Sequence, residues 1–187
     1  MKLLSRLLCA ALACAATSAL AAPAQVVIIR HGEKPPSGPD LDERGYARAQ
    51  ALIGFFESAP AVTQFGPPAA IYAMKPKDED GSRRPIETVT PLAQALGVKI
   101  DADYTRKQIA QLVKDILGNP AYEGKTVLIC WEHHMIPDIV AAFGWTSAPR
   151  TWPGSSFDRA WVLTFDGDKV ADFADAPEKL LAGDSPD

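Results

Sequence analysis

Gln25-Val26-Val27-Ile28-Ile29-Arg30 is a short, unbroken apolar run of mostly β-branched residues, closed by a charge. Such a run reads as a strand buried on both faces, the kind that parallel sheets contain. Outward from it, residues 31–40 form a polar, turn-rich loop. Residues 41–58 place Ala, Leu and Phe at helical spacing, with Asp40 or Asp42 as the cap. Residues 69–74 read as a second strand and 75–83 as a charged loop. A helix over 85–96 starts on Pro85 and stops at Gly97. A short strand over 98–100 and a helix over 105–117 follow. Residues 126–131 are the clearest internal strand, and 135–143 a short helix. A strand over 159–165 turns at Asp166-Gly167-Asp168 into 169–173, as a hairpin does. The polar tail from Pro177 is expected to fray. Strands alternating with helices predict an α/β fold, a three-layer sandwich whose mainly parallel sheet has helices on both faces.

The chain has 187 residues, 47% hydrophobic and 22% charged, a composition that excludes disorder and suits one folded domain. Its first residues differ from the rest. Lys2 and Arg6 precede a Leu/Ala/Cys run, and Ala19-Leu20-Ala21 matches a small-residue cleavage site. Residues 1–22 therefore read as a secretory signal and 23–187 as the single domain. The chain is expected to be exported, to the periplasm or beyond. Acylation at Cys14 is a poorer reading, because Ala11 stands where a large aliphatic residue is expected. Without Lys2 and Arg6, 17 basic and 23 acidic side chains leave a net charge of −6. An acidic chain with no basic run argues against nucleic acid and against a membrane-surface segment. No other apolar stretch is long enough to span a bilayer. Cys130 is the one cysteine after the leader, so neither an internal disulfide nor a cysteine-based zinc site is expected.

In open α/β sheets, ligands bind beyond the carboxyl ends of the strands. Those places are rich in chemistry here. Arg30 and His31 close the first strand, with Gly32 permitting close backbone approach. Lys75, Lys77, Arg83 and Arg84 follow the second. His133 and His134 follow the 126–131 strand, and with His31 they are all the histidines of the chain. Arginine pairs bidentately with phosphate, so this edge suits an oxyanion. Each feature alone has a plainer explanation: a capped helix start for the paired histidines, solvated charge for the arginines. Their shared position on one sheet edge favours a site.

Four ordered motifs resemble the histidine phosphatase superfamily, which has the phosphoglycerate-mutase-like fold. They are Ile29-Arg30-His31-Gly32-Glu33, Leu41 to Ala49 with its Gly45, Ser82 to Thr88 with Arg84 four residues before the Thr, and Trp131-Glu132-His133-His134-Met135-Ile136-Pro137. The resemblance implies that His31 is the nucleophile and carries the phosphoryl group. It implies that Arg30, Arg84 and His133 surround and bind that group. A one-residue slip would give the last role to His134. No cofactor and no metal is implied. The general acid is fixed by no motif: Glu87, Asp103, Glu132 and His134 are the candidates, with an internal salt bridge to Arg84 as the plain reading of Glu87. Glu33 would support the loop.

The expected activity is hydrolysis of phosphomonoesters or phosphorylated side chains, the partner being a phosphorylated small molecule or a phosphoprotein. A phosphomutase of the same fold and a catalytically silent phospholigand-binding module are the alternatives. A metallohydrolase using His31, Glu132, His133 and His134 is disfavoured, because adjacent ligands on a strand end do not easily converge on one ion. The loop over 145–156 is long enough to border the site. Trp131, Trp145, Trp152 and Trp161 read as packing, and Cys130 as an inert buried side chain. Neither the physiological substrate nor the oligomeric state can be read from the sequence.

Overall fold

Strand β1 (Gln25–Arg30) is buried at every position, as its apolar run requires. The computed structural model describes residues 22–185; the leader expected over 1–22 lies outside them except for Ala22. β1 pairs in parallel with β4 (Thr126–Trp131) on one side and antiparallel with β5 (Arg159–Asp166) on the other. With β2 (Pro68–Ala73), β3 (Ile100–Asp101) and β6 (Lys169–Pro177) they form one six-stranded sheet of order β3-β2-β4-β1-β5-β6. The first four strands of that order are parallel and the terminal hairpin is antiparallel.

Alternation along β1 and β4 builds a core on each face, because successive side chains point opposite ways. Val26, Ile28, Val127, Ile129 and Trp131 pack under α4 (Ile109–Leu117) and α5 (Ile136–Ala142). Val27, Ile29, Leu128 and Cys130 pack under α1 (Glu43–Ser58) and α3 (Arg84–Leu96). The result is the three-layer α/β sandwich. A four-residue helix, α2 (Pro60–Thr63), follows α1.

Asp42 is the cap of α1, its carboxylate accepting from Gly45 N–H at 2.8 Å. Gly97 ends α3 in the left-handed conformation, φ 65°. Several boundaries differ from expectation, and β6 runs to Pro177 rather than ending at 173. α4 begins at Ile109 rather than 105, because Gln108 Oε1 accepts from both Thr105 N–H and its hydroxyl and folds 105–108 into a turn. The third strand sits at Ile100–Asp101, where it meets Ile71 and Tyr72 of β2. The described part of the tail, to residue 185, is not frayed: Glu178 is buried and Asp184 pairs with Arg44 and Arg48 of α1. A buried guanidinium demands carboxylate partners, and the tail supplies them. Among the described residues, no helix is long and apolar enough to cross a membrane.

Candidate active site

The parallel register of β1 and β4 aligns Arg30 with Trp131. The chain beyond Arg30 therefore runs beside the chain beyond Trp131, and His31 N–H donates to Trp131 O at 3.1 Å. Residues 31–34 and 132–135 share one sheet edge, on strands about 4.8 Å apart.

His31 is 5% exposed. Its Nδ1 stands 2.7 Å from Gly32 O. A carbonyl only accepts, so Nδ1 carries the proton and Nε2 keeps its lone pair. Burial pushes the His31 pKa down to about 4, and the charges of Arg30 and Arg84, with His133, push the same way against the Gly32 bond. A neutral imidazole with a directed lone pair is a competent nucleophile.

The turn that holds His31 is tightly built. Gly32 N–H donates to Thr88 Oγ1 at 2.9 Å, and that hydroxyl donates to Arg84 O at 2.7 Å. Thr88 thereby couples the His31 turn to the start of α3. A Cβ on Gly45 would lie 2.3 Å from Glu33 O, so only glycine lets α1 pack against this turn. Glu33 accepts from Arg44 and from two nitrogens of Arg48, supporting the loop from beneath.

Arg30 is 2% exposed. Its Nη1 donates to Gly154 O and Ser156 O, both at 2.8 Å, and its Cζ lies 3.7 Å from the Phe157 ring centroid. Burial lowers its pKa to about 10, so it remains cationic at neutral pH. Arg84 directs Nε to Asp40 O at 3.0 Å and Nη2 to Gly38 O.

His133 is largely buried and His134 exposed, with ring centroids 3.9 Å apart. His133 is thus the more enclosed of the two imidazoles. Burial, then the charge of Arg30, lowers the His133 pKa to about 4. Among the described residues three buried side-chain polar atoms lack a partner, and two lie here: Arg30 Nε and His133 Nδ1. Buried polar groups are almost always satisfied, so this pair marks a place for a polar ligand.

The acid candidates sit differently. Among the described residues Glu87 forms no ion pair with Arg84: its Oε2 accepts from Leu41 N–H at 2.9 Å, and Arg83 approaches it at 4.0 Å. Asp103 is exposed. Glu132 is 4.0 Å from His133 Nδ1 and accepts from Arg106 Nε at 2.7 Å. The ligand atoms of Glu132, His133 and His134 lie within 4.8 Å of one another, closer than adjacent residues on a strand end suggest. The two rings are tilted against each other, their planes 35° apart. Tetrahedral zinc at about 2.0–2.1 Å from nitrogen needs lone pairs converging from separate directions.

Gly154, Ser156 and Phe157 were not legible as site residues. Only the length of their loop hinted at a role. They join the site because Arg30 reaches more than a hundred positions along the chain to bond them.

No protein-family profile matches the sequence, and no curated protein matches it. Solved structures do. One is a protein from Agrobacterium tumefaciens assigned as the phosphohistidine phosphatase SixA, 18% identical, covering 83% of this chain and 98% of that one, TM-score 0.51. Another is the protein histidine phosphatase SixA complexed with tungstate, 17% identical, covering 81% and 94%, TM-score 0.52. The chain has the phosphoglycerate-mutase-like fold of the histidine phosphatase superfamily.

Proposed function

We propose that this protein is an exported, metal-independent phosphatase that hydrolyses phosphomonoesters or phosphorylated side chains through a phosphohistidine on His31. The observation that carries the reading is the pairing of a free His31 Nε2 with two buried, unpartnered polar atoms, Arg30 Nε and His133 Nδ1, on one sheet edge. Tungstate, present with the SixA protein of the same fold, resembles a phosphoryl group in shape and charge. Export rests on the basic and apolar pattern of residues 1–22.

In this reading the phosphoryl oxygens sit against Arg30, Arg84 and His133. The lone pair of His31 Nε2 attacks phosphorus as the phosphorus–oxygen bond to the leaving group breaks. The leaving oxygen takes a proton. Water then attacks phosphorus, the phosphorus–nitrogen bond breaks, and inorganic phosphate departs. Such transfers depend on positioning and on stabilising charge at the equatorial oxygens. Fixed guanidiniums supply that charge in a water-poor site. A bound dianion also raises the pKa of a nearby imidazole, which suits His133 to hold a proton against the phosphoryl group. Glu132, linked to Arg106 and facing His133, would orient that ring.

The test is a quench that avoids acid, using a radiolabelled phosphomonoester. An acid-labile, alkali-stable adduct on His31 is expected, lost together with turnover in His31→Ala. Undiminished turnover in that variant without any adduct would sink the mechanism. Retained phosphate-ester affinity with no turnover even in the natural protein would favour the silent binding module.

A further inference from the structure

The sheet edge that carries His31 carries a second cationic pocket. β1, β4 and β2 are consecutive neighbours, so their ends lie about 10 Å apart at roughly 4.8 Å per step. Just past β2 is a cavity of about 480 Å³, lined by Met74 and Ser82 and by four cations, Lys75, Lys77, Arg106 and Lys107. No carboxylate lines it. In a chain of net charge −4, such a grouping is not what composition alone would place.

Arg106 is neutralised by Glu132 at 2.7 Å. Lys75, Lys77 and Lys107 have no ion-pair partner among the described residues. Asp78, Glu79 and Asp80 follow Lys77 but do not line the cavity. Lysine stems and Met74 make its walls apolar while the ammonium groups remain at the rim. Arg106 ties the pocket to the edge that carries His31: it bonds Glu132, the neighbour of His133, and Trp131 Nε1 donates to Arg106 O at 3.4 Å.

We infer that this pocket is a specificity subsite for a second anionic group on the leaving moiety of the substrate, a phosphate or a carboxylate about 10 Å from the transferred phosphoryl group. The inference rests on the phosphatase reading. In that reading Arg30, Arg84 and His133 address the transferred phosphoryl group, which every monoester shares. Ammonium groups at the rim of a neighbouring cavity add discrimination among monoesters, through binding more than through chemistry. Because they are exposed, their effect weakens with added salt.

The experiment compares three substrates: a long α,ω-alkane bisphosphate, the matching ω-carboxyalkyl phosphate, and the alkyl monophosphate of equal length. Against the Lys75→Ala/Lys107→Ala variant, kcat/KM for at least one two-anion substrate should fall about tenfold, through KM, as expected for losing two exposed charge contacts. The monophosphate should change less than twofold, and Lys75→Arg/Lys107→Arg should restore the loss. The larger loss identifies the second anion as phosphate or carboxylate. Equal effects on all three substrates, or no effect on any, overturn the subsite. Calorimetry with an alkane bisphosphonate separates it from the phosphatase reading. Binding that weakens in the double variant while the natural protein turns over nothing keeps the subsite and removes the phosphatase. Turnover with no dependence on the lysines does the reverse.

Discussion

Arg48 of α1 and Asp184, seven residues beyond the end of β6, face each other as a bidentate pair: Nη1 donates to Oδ2 at 3.0 Å and Nη2 to Oδ1 at 2.7 Å. The same guanidinium holds both oxygens of Glu33 and one of Glu178. One side chain thus ties the loop two residues after His31 to the C-terminal segment. Its own exposure is only 2%. Removing it strands the carboxylates of Asp184 and Glu33, so Arg48→Ala should lose about 3–5 kcal/mol of stability, read as a lower denaturant midpoint. Arg48→Lys should recover little, because an ammonium cannot form the bidentate contacts. An unchanged midpoint in Arg48→Ala would show that the clasp contributes nothing net.

The clasp also makes stability depend on pH. Arg44 and Arg48 face three carboxylates, Glu33, Glu178 and Asp184, with Asp158 nearby. Glu178 is the most buried and has one contact, 3.1 Å to Arg48. Burial pushes its pKa up from 4.5 to about 8, against the pull of Arg48. A raised folded pKa means that the folded state holds the proton more tightly. The contribution is full below pH 4.5 and is lost as pH rises through about 8. His31 and His133 act oppositely, but only between about pH 4 and 6.5. Between pH 6.5 and 8 the Glu178 effect should therefore show as falling stability with rising pH. Denaturant midpoints across that window should flatten in Glu178→Gln. An identical slope in the variant would refute the assignment.

His31 should stay neutral in mildly acidic solution. Its pKa is depressed to about 4, so its ring-proton resonance should titrate there, well below the ordinary 6.5. The nuclear magnetic resonance signal missing from His31→Asn identifies it. A His31 midpoint near 6.5 would contradict the buried, cation-flanked environment.

Two glycines of α1 should respond in opposite directions. Gly45→Ala would drive a Cβ to 2.3 Å from Glu33 O, backbone that cannot swing away. A loss of roughly 1–3 kcal/mol is expected from overpacking, together with reduced turnover, because the strained atom belongs to the His31 loop. A Cβ on Gly54 meets nothing within 4 Å. Gly54→Ala should gain about 0.5–1 kcal/mol from helix propensity and leave activity alone. Thermal melts of the two variants, run together, check both signs.

Local pattern made much of the architecture readable. The apolar run 25–30 and the run 126–131 became β1 and β4 with the same bounds, since a strand buried on both faces advertises itself by composition. Gly97 ended α3 because a left-handed residue was needed there. The start of α4 was misplaced because a side-chain bond from Gln108 competes with the helix at 105–108. The polar tail misled for a related reason: its charges look solvated until the buried Arg48 they serve is known.

Sequence alone determined the α/β class and the strand end bearing Arg30 and His31, with Gly32 after them. Those are short-range matters, governed by periodicity and backbone sterics. Tertiary structure alone decided that His133 is more enclosed than His134. It also decided that Arg30 is held by Gly154 and Ser156, that Glu87 serves Leu41 rather than Arg84, and that the tail closes on α1. Each depends on contacts between residues far apart in the chain. Their partners are chosen by burial and charge balance in three dimensions, which no local spacing records.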